Sequence, residues 1–309
     1  MDDVIKIVNY IKSRPLKSRI FKELCDTMES NYNCLLIHND IRWLSRGKLL
    51  SRVFELRAEI CTFFKNEISI AGNQKNRMKM QNFYDCFNNE LWCAKLAYIE
   101  HIFAHLNSLN TSLQGRNENI LTSTDKLIAF DKKLCLWIKK LDENNFAMFP
   151  NIPEQMRIFL APLVKIHLDL LQKAMKKYFP SITSETYDWI RNPFTNDTSN
   201  WNLCLEEEEE LISLSSDRTL KIKHSEFHLD RFWISVRGQY PKLSKRAINI
   251  LLQFSTSYLC ELGFSTLTNM KNKKRSRLEN VEDELRVALS EIRPDIAEIT
   301  KHRQSHISH

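Results

Sequence analysis

The sequence predicts a mainly α-helical protein, and three observations carry that reading. Apolar residues recur at three- and four-residue spacing through most of the chain, the period of an amphipathic helix. Only one short run, residues 33–38, reads as a buried strand. The content of 43% hydrophobic and 27% charged residues is that of a folded globular chain, not a disordered one.

The elements follow in order. Residues 2–13 and 16–29 form two short helices separated by Pro15, a residue suited to a helix's first turn. Residues 33–38, from Asn33 to His38, follow as the strand. Leu49, Val53, Leu56, Ile60 and Phe64 mark one long helix over 45–64. Phe83, Phe87, Leu91, Ala94, Tyr98, Ile102, Leu106 and Leu109 mark another over 82–109. Leu127, Phe130, Leu134, Trp137 and Leu141 give a third stripe. Met156, Phe159, Leu160, Leu163, Val164, Leu170, Leu171 and Met175 give a fourth. All four stripes are expected to bury a core. Residues 180–223 lose the period and carry Pro180, Pro193 and an acidic run, which reads as a long connection. Order resumes near 225, and Asn280 opens a last helix through Leu285, Ala288, Leu289 and Ile292. Beyond Lys301 the chain is a polar tail.

Composition removes several function classes. No stretch approaches the ~18–20 apolar residues of a membrane span. The start Met1-Asp2-Asp3 lacks a basic and apolar leader, so an intracellular chain is expected. The five glycines, Gly47, Gly72, Gly115, Gly238 and Gly263, lie too far apart for a phosphate-cradling loop. The eight cysteines contain no CxxC pair and read as buried free thiols. His101/His105, His224/His228 and His302/His306 are i,i+4 pairs without a third metal ligand at matching spacing. His167, on the fourth stripe, reads as a hydrogen-bonded core histidine. No metal or other cofactor is expected.

The net charge of +7 is unevenly spread. Residues 11–58 hold ten Lys/Arg against five Asp/Glu, and Lys271–Arg277 packs five cations into seven positions. Such runs can neutralise phosphates or serve nuclear import, or form a solvated loop. Glu206–Glu210 is five consecutive acids, expected to be a solvated connection.

Two blocks carry a specific resemblance. The first is His38-Asn39-Asp40-Ile41-Arg42-Trp43-Leu44-Ser45-Arg46-Gly47-Lys48, continuing through Phe54-Glu55-Leu56-Arg57. The second is Tyr258-Leu259-Cys260-Glu261-Leu262-Gly263-Phe264-Ser265, followed by Arg277-Leu278 and the stretch from Asn280 to Leu289. Both resemble the hAT superfamily of DNA transposases, most closely the domesticated BED-zinc-finger and SCAN-domain-containing proteins derived from them. The resemblance implies a truncated ribonuclease-H-like core with a large helical insertion and a C-terminal hAT dimerisation region. Residues 1–59 would be the core remnant, 60–224 the insertion, 225–300 the core return with the dimerisation region, and 301–309 the tail.

In that family three acids hold divalent metals for phosphoryl transfer. Glu261 matches the third. The first two lie upstream of the Arg-Trp block, and Asp2, Asp3 and Asp40 match neither, so the resemblance implies an inactive chain. Trp43 matches a tryptophan that stacks beside a flipped base, and Arg42 a phosphate contact. The DNA-binding candidates are therefore Arg42, Trp43, Arg46, Lys48, Lys271, Lys273, Lys274, Arg275 and Arg277. The dimerisation candidates are Val281, Leu285, Ala288, Leu289 and Ile292. Cys260 and Phe264 read as core. The leading expectation is a catalytically inactive, nuclear dimerisation module, pairing with itself or a related hAT-derived protein, with DNA as a further expected contact. The alternatives are a metal-dependent transposase or nuclease subunit completed in trans, and a non-specific nucleic-acid binder.

Overall fold

A computed structural model describes residues 1–37, 44–115, 118–179, 185–195, 202–253, 256–271 and 280–290, with 295, 298, 300 and 301. The described residues form fifteen α-helices and one 3-10 turn, with no strand among them. Helices bury their stripes in three apolar clusters that succeed one another along the chain.

The first cluster gathers α1 (Asp2–Lys12), α2 (Pro15–Thr27), α3 (Leu44–Glu55), α4 (Arg57–Ile70) and α5 (Gln74–Asn88). On α1, Val4, Ile7, Val8 and Ile11 form one buried face at helical spacing. They meet Phe21 and Cys25 of α2 and the aromatic set Phe63, Phe64 and Phe83. Glu67 is buried in this cluster and compensated twice. Tyr10 donates its hydroxyl to it at 3.1 Å and Lys17 its ammonium at 2.7 Å. Burial and the neighbouring carboxylate push the Tyr10 phenol up to about 12.

The expected strand is not one. Residues 34–37 are irregular, and His38 lies outside the described residues. Leu35 is buried among the helices, and the Cys34 carbonyl accepts from the Arg52 guanidinium at 3.0 Å. A side chain thus replaces the ladder partner that a strand would require. The same guanidinium lies over the Tyr32 ring.

Both long expected helices are broken in two. The first breaks at Leu56, with α3 packed on α6 (Glu90–Ser112) and α4 packed on α5. The second breaks at Asn89, whose side-chain carbonyl accepts from the Trp92 N–H and caps α6.

The α3–α6 contact explains Gly47. This residue of the Arg-Trp block is buried in α3, and a Cβ there would fall on the Asn107 side-chain amide of α6. The block's glycine is a helix-packing device rather than part of a ligand loop.

The second cluster joins α6 to α7 (Ile120–Asp142) and α8 (Glu154–Tyr178). Asn119 caps α7 reciprocally with Thr122. Leu134, Phe149, Leu160, Val164 and Leu168 are fully buried here. The fourth stripe divides. Leu160 and Val164 face the cluster, whereas Phe159, Leu163 and Leu170, expected in the core, are exposed.

The third cluster is built partly from residues 180–223, which the sequence presents as a connection, and partly from the ordered stretch expected after 225. After a 3-10 turn at Glu185–Tyr187 come α9 (Asp188–Arg191), α10 (Leu205–Ser216), α11 (Arg218–Glu226), α12 (Leu229–Ser235) and α13 (Pro241–Leu251). Trp189 and Trp233 meet edge-on at 5.5 Å with neither exposed, and Trp233 Nε1 donates to the Ile190 carbonyl. Arg191 ties α9 to α7 through Asp125 and the Leu121 carbonyl.

The acidic run is not a solvated connection either. It forms the first turns of α10, where the helix dipole favours negative charge. Glu210 accepts the backbone N–H groups of Lys242 and Leu243 and so caps α13. Glu207 accepts from the Cys204 N–H and from Arg246. Burial pushes Glu207 up, but those two partners outweigh it and hold the carboxyl below its ordinary range.

The last two helices, α14 (Tyr258–Met270) and α15 (Val281–Leu289), pack chiefly on each other. No helix among the described residues is long and apolar enough to cross a membrane.

The Gly47 contact generates a test. Gly47→Ala should destabilise the protein by about 1–3 kcal/mol through overpacking of α3 on α6, and Asn107→Ala should relieve it in the double variant. Denaturant unfolding of the two single variants and the double reads this coupling.

Candidate dimerisation interface

Neither α14 nor α15 contains a single buried residue. The pattern is unlike the rest of the protein, where helices as short as four residues bury two side chains. Apolar residues are nonetheless plentiful. Tyr258, Leu259, Leu262, Leu267 and Met270 of α14 are half-buried, as are Val281, Leu285 and Leu289 of α15. Phe264 is 70% exposed and Val287 63% exposed. A two-helix hairpin covers one side of each helix at most, and the exposed Phe264 and Val287 lie on the sides left over.

The sequence-predicted residues distribute as follows. Val281, Leu285 and Leu289 are half-buried, Ala288 is exposed, and Ile292 lies outside the described residues. Phe264 and Cys260, expected in the core, are both exposed. Sequence reasoning assigned Phe264 inward and passed over Val287. Their exposure goes with α14 and α15 packing chiefly on each other among the described residues, which periodicity does not reveal. Asn280 stands at the N-cap position of α15 but makes no side-chain cap bond.

Glu261 is exposed on the first turn of α14, where its carboxylate accepts from the Ser257 hydroxyl at 2.7 Å. These surroundings do not fit a two-metal centre, which needs several carboxylates converging on one point. No group of three or more metal-ligand side chains occurs among the described residues.

The histidine pairs have other employment. His101 bonds the Ala97 carbonyl, while His105 lies against the Trp137 ring and the Met148 carbonyl. His224 packs edge-on against Phe232. His228 is exposed beside Asp230, and His302 and His306 lie outside the described residues. His167 shares a 2.6 Å hydrogen bond with the Tyr98 hydroxyl, as a satisfied histidine should, but at the rim of the cluster rather than inside it. All eight cysteines are free. Cys25 alone is buried, and Cys135, Cys204 and Cys260 are exposed, so the expectation of buried thiols holds for one residue.

Of the DNA-binding candidates, Lys48 and Lys271 are exposed and Arg46 is half-buried. Arg42, Trp43, Lys273, Lys274, Arg275 and Arg277 lie outside the described residues. Much of the basic surplus of residues 11–58 serves the fold. Lys17 neutralises Glu67, Arg14 covers Tyr10, Arg52 holds the Cys34 carbonyl, and Arg57 bonds the Phe54 carbonyl.

The architecture is that of a helical protein ending in an incompletely covered helical hairpin. Residues 210–290, which include that hairpin, match the model of the hAT family C-terminal dimerisation region. Residues 1–142 match the model of the FAM200/GTF2IRD2 helical domain. Residues 210–290 carry the hAT family's C-terminal dimerisation region, and the two matches together support an origin of the chain from an hAT transposase. No solved structure matches it.

The histidines set a pH dependence. Burial lowers His105, His167 and His224 below the ordinary 6.5. Each therefore binds its proton more readily in the unfolded chain. The stability they contribute is complete above 6.5 and is lost as pH falls through their folded values. The melting temperature should fall between about pH 7 and about pH 5, and the fall should shrink when His105 and His224 are both replaced by Gln. A pH slope unaltered by those replacements would contradict the assignment.

Proposed function

We propose that this protein is a catalytically inactive, transposase-derived interaction module. Its α14–α15 hairpin joins it to a second copy or to a related hAT-derived chain. The observation that carries this reading is the hairpin itself: twenty-two helical residues, rich in apolar side chains, with none buried. Docking a like hairpin would cover Phe264 and Val287 and complete the burial of Leu285 and Leu289. At roughly 25 cal/mol per Å² of apolar surface, a few such side chains per copy supply a stable association.

The inactive reading is supported by the position of Glu261, exposed and bonded to serine rather than to other acids. The N-terminal segment, expected to be a remnant of a ribonuclease-H-like sheet, works here as a helical support, its cores closed by α1–α6. Nuclear residence is part of the proposal and rests on the run Lys271–Arg277. Contact with nucleic acid is a subsidiary part, resting on the exposed Lys48 and Lys271 and on that same run.

Phe264→Glu with Val287→Glu should lower the mass measured by light scattering to half or less at equal helical circular dichroism. Both side chains are exposed, so the hairpin itself should persist. An unchanged mass would overturn the proposal. Incubated with hairpin or nicked DNA and Mg²⁺ or Mn²⁺, the purified chain should leave both substrates intact. Metal-dependent nicking that Glu261→Gln abolishes would establish the enzyme instead.

A further inference from the structure

Helix α8 is amphipathic twice over. One face, Leu160, Val164 and Leu168, is fully buried in the second cluster. A second apolar stripe, Phe159, Leu163, Ile166 and Leu170, runs along a different side and is exposed at 69%, 43%, 61% and 57%. Its spacing is four, three, four, the a/d period of helices that pair side by side. Ile158 is exposed too but lies off this line. A single apolar residue at the surface is ordinary; four in register over three turns are an unpartnered seam.

We propose that this seam is a second self-association surface, on which α8 of one copy packs antiparallel against α8 of another. The spacing is the first argument. Four-three-four reads the same from either end, so a two-fold axis passing between Val164 and Lys165 sets Leu163 opposite Ile166 and Phe159 opposite Leu170. A self-complementary patch of this kind is what a two-fold interface requires. Charge selects the direction. The exposed Lys173, Lys176 and Lys177 end the helix, and Glu154 begins it. Parallel pairing would set the two lysine clusters side by side. Antiparallel pairing holds them roughly 30 Å apart along the axis, beyond the Debye length at physiological salt. Area agrees as well. The stripe offers roughly 450 Å² of apolar surface per copy, comparable to the apolar share of a standard footprint of about 800 Å².

This surface is separate in sequence from the C-terminal hairpin, and two different two-fold interfaces on one chain build closed tetramers or longer arrays. The inference does not depend on the hairpin reading, and one set of variants separates them. Light scattering of the full chain should give a tetramer or larger species. Leu163→Glu with Ile166→Glu should reduce it to a dimer without loss of helical circular dichroism, since both positions are exposed. Adding Phe264→Glu and Val287→Glu should then give a monomer. A mass for the α8 variant equal to wild type overturns the inference whatever the hairpin variant does. A mass for the hairpin variant equal to wild type overturns the hairpin reading alone. Leu163→Glu with Ile166→Lys restores opposite charges across an antiparallel seam and should recover the larger mass at low salt. Failure to recover it overturns the antiparallel register.

Discussion

Two long helices hold this protein together by belonging to more than one core. Helix α6 buries Leu96 in the first cluster and Ala94, Ala97, Tyr98 and Ile102 in the second. Helix α7 buries Phe130, Leu134, Trp137 and Leu141 toward α6 and α8, but its first turn gives Leu121 to the third cluster. Helix α6 joins its clusters across its width, with Leu96 lying between Ala94 and Ala97, whereas α7 joins its clusters along its 23 residues. Without strands among the described residues, these shared helices do the joining that a sheet performs elsewhere. The Gly47 approach to Asn107 belongs to the same arrangement, because it sets how closely α3 can lie on α6.

Beyond the third cluster the burial stops. Helix α13 buries Leu243, Ala247 and Ile250, and the two helices that follow bury nothing. That change at one point along the chain divides the residues that match the hAT dimerisation region into a half that folds into the protein, α10 to α13, and a half, α14 and α15, with no buried residue.

Helix period was legible, and so were the positions of α1, α2, α7 and α8. Breaks were not, because Leu56 and Asn89 interrupt the helices without interrupting the spacing of the stripes. The strand reading of residues 33–38 rested on a short apolar run, which fits a buried irregular segment equally well once Arg52 supplies the missing bond. The acidic run misled because five adjacent glutamates look solvated, whereas α10 uses them at its own N-terminus and at that of α13. At the hairpin the blocks around Glu261 and Leu285 fall within the residues that match the hAT dimerisation region. Which side of each helix faces outward depends on what packs against it, so the exposure of Phe264 and Val287 is found only in three dimensions.

The most direct test of the central claim is amide hydrogen exchange of the full chain at low and high protein concentration. The account predicts that exchange slows with concentration across residues 258–270 and 281–289, while α10 to α13 stay unchanged. Exchange in the hairpin that is independent of concentration over a range in which the oligomer assembles would contradict it.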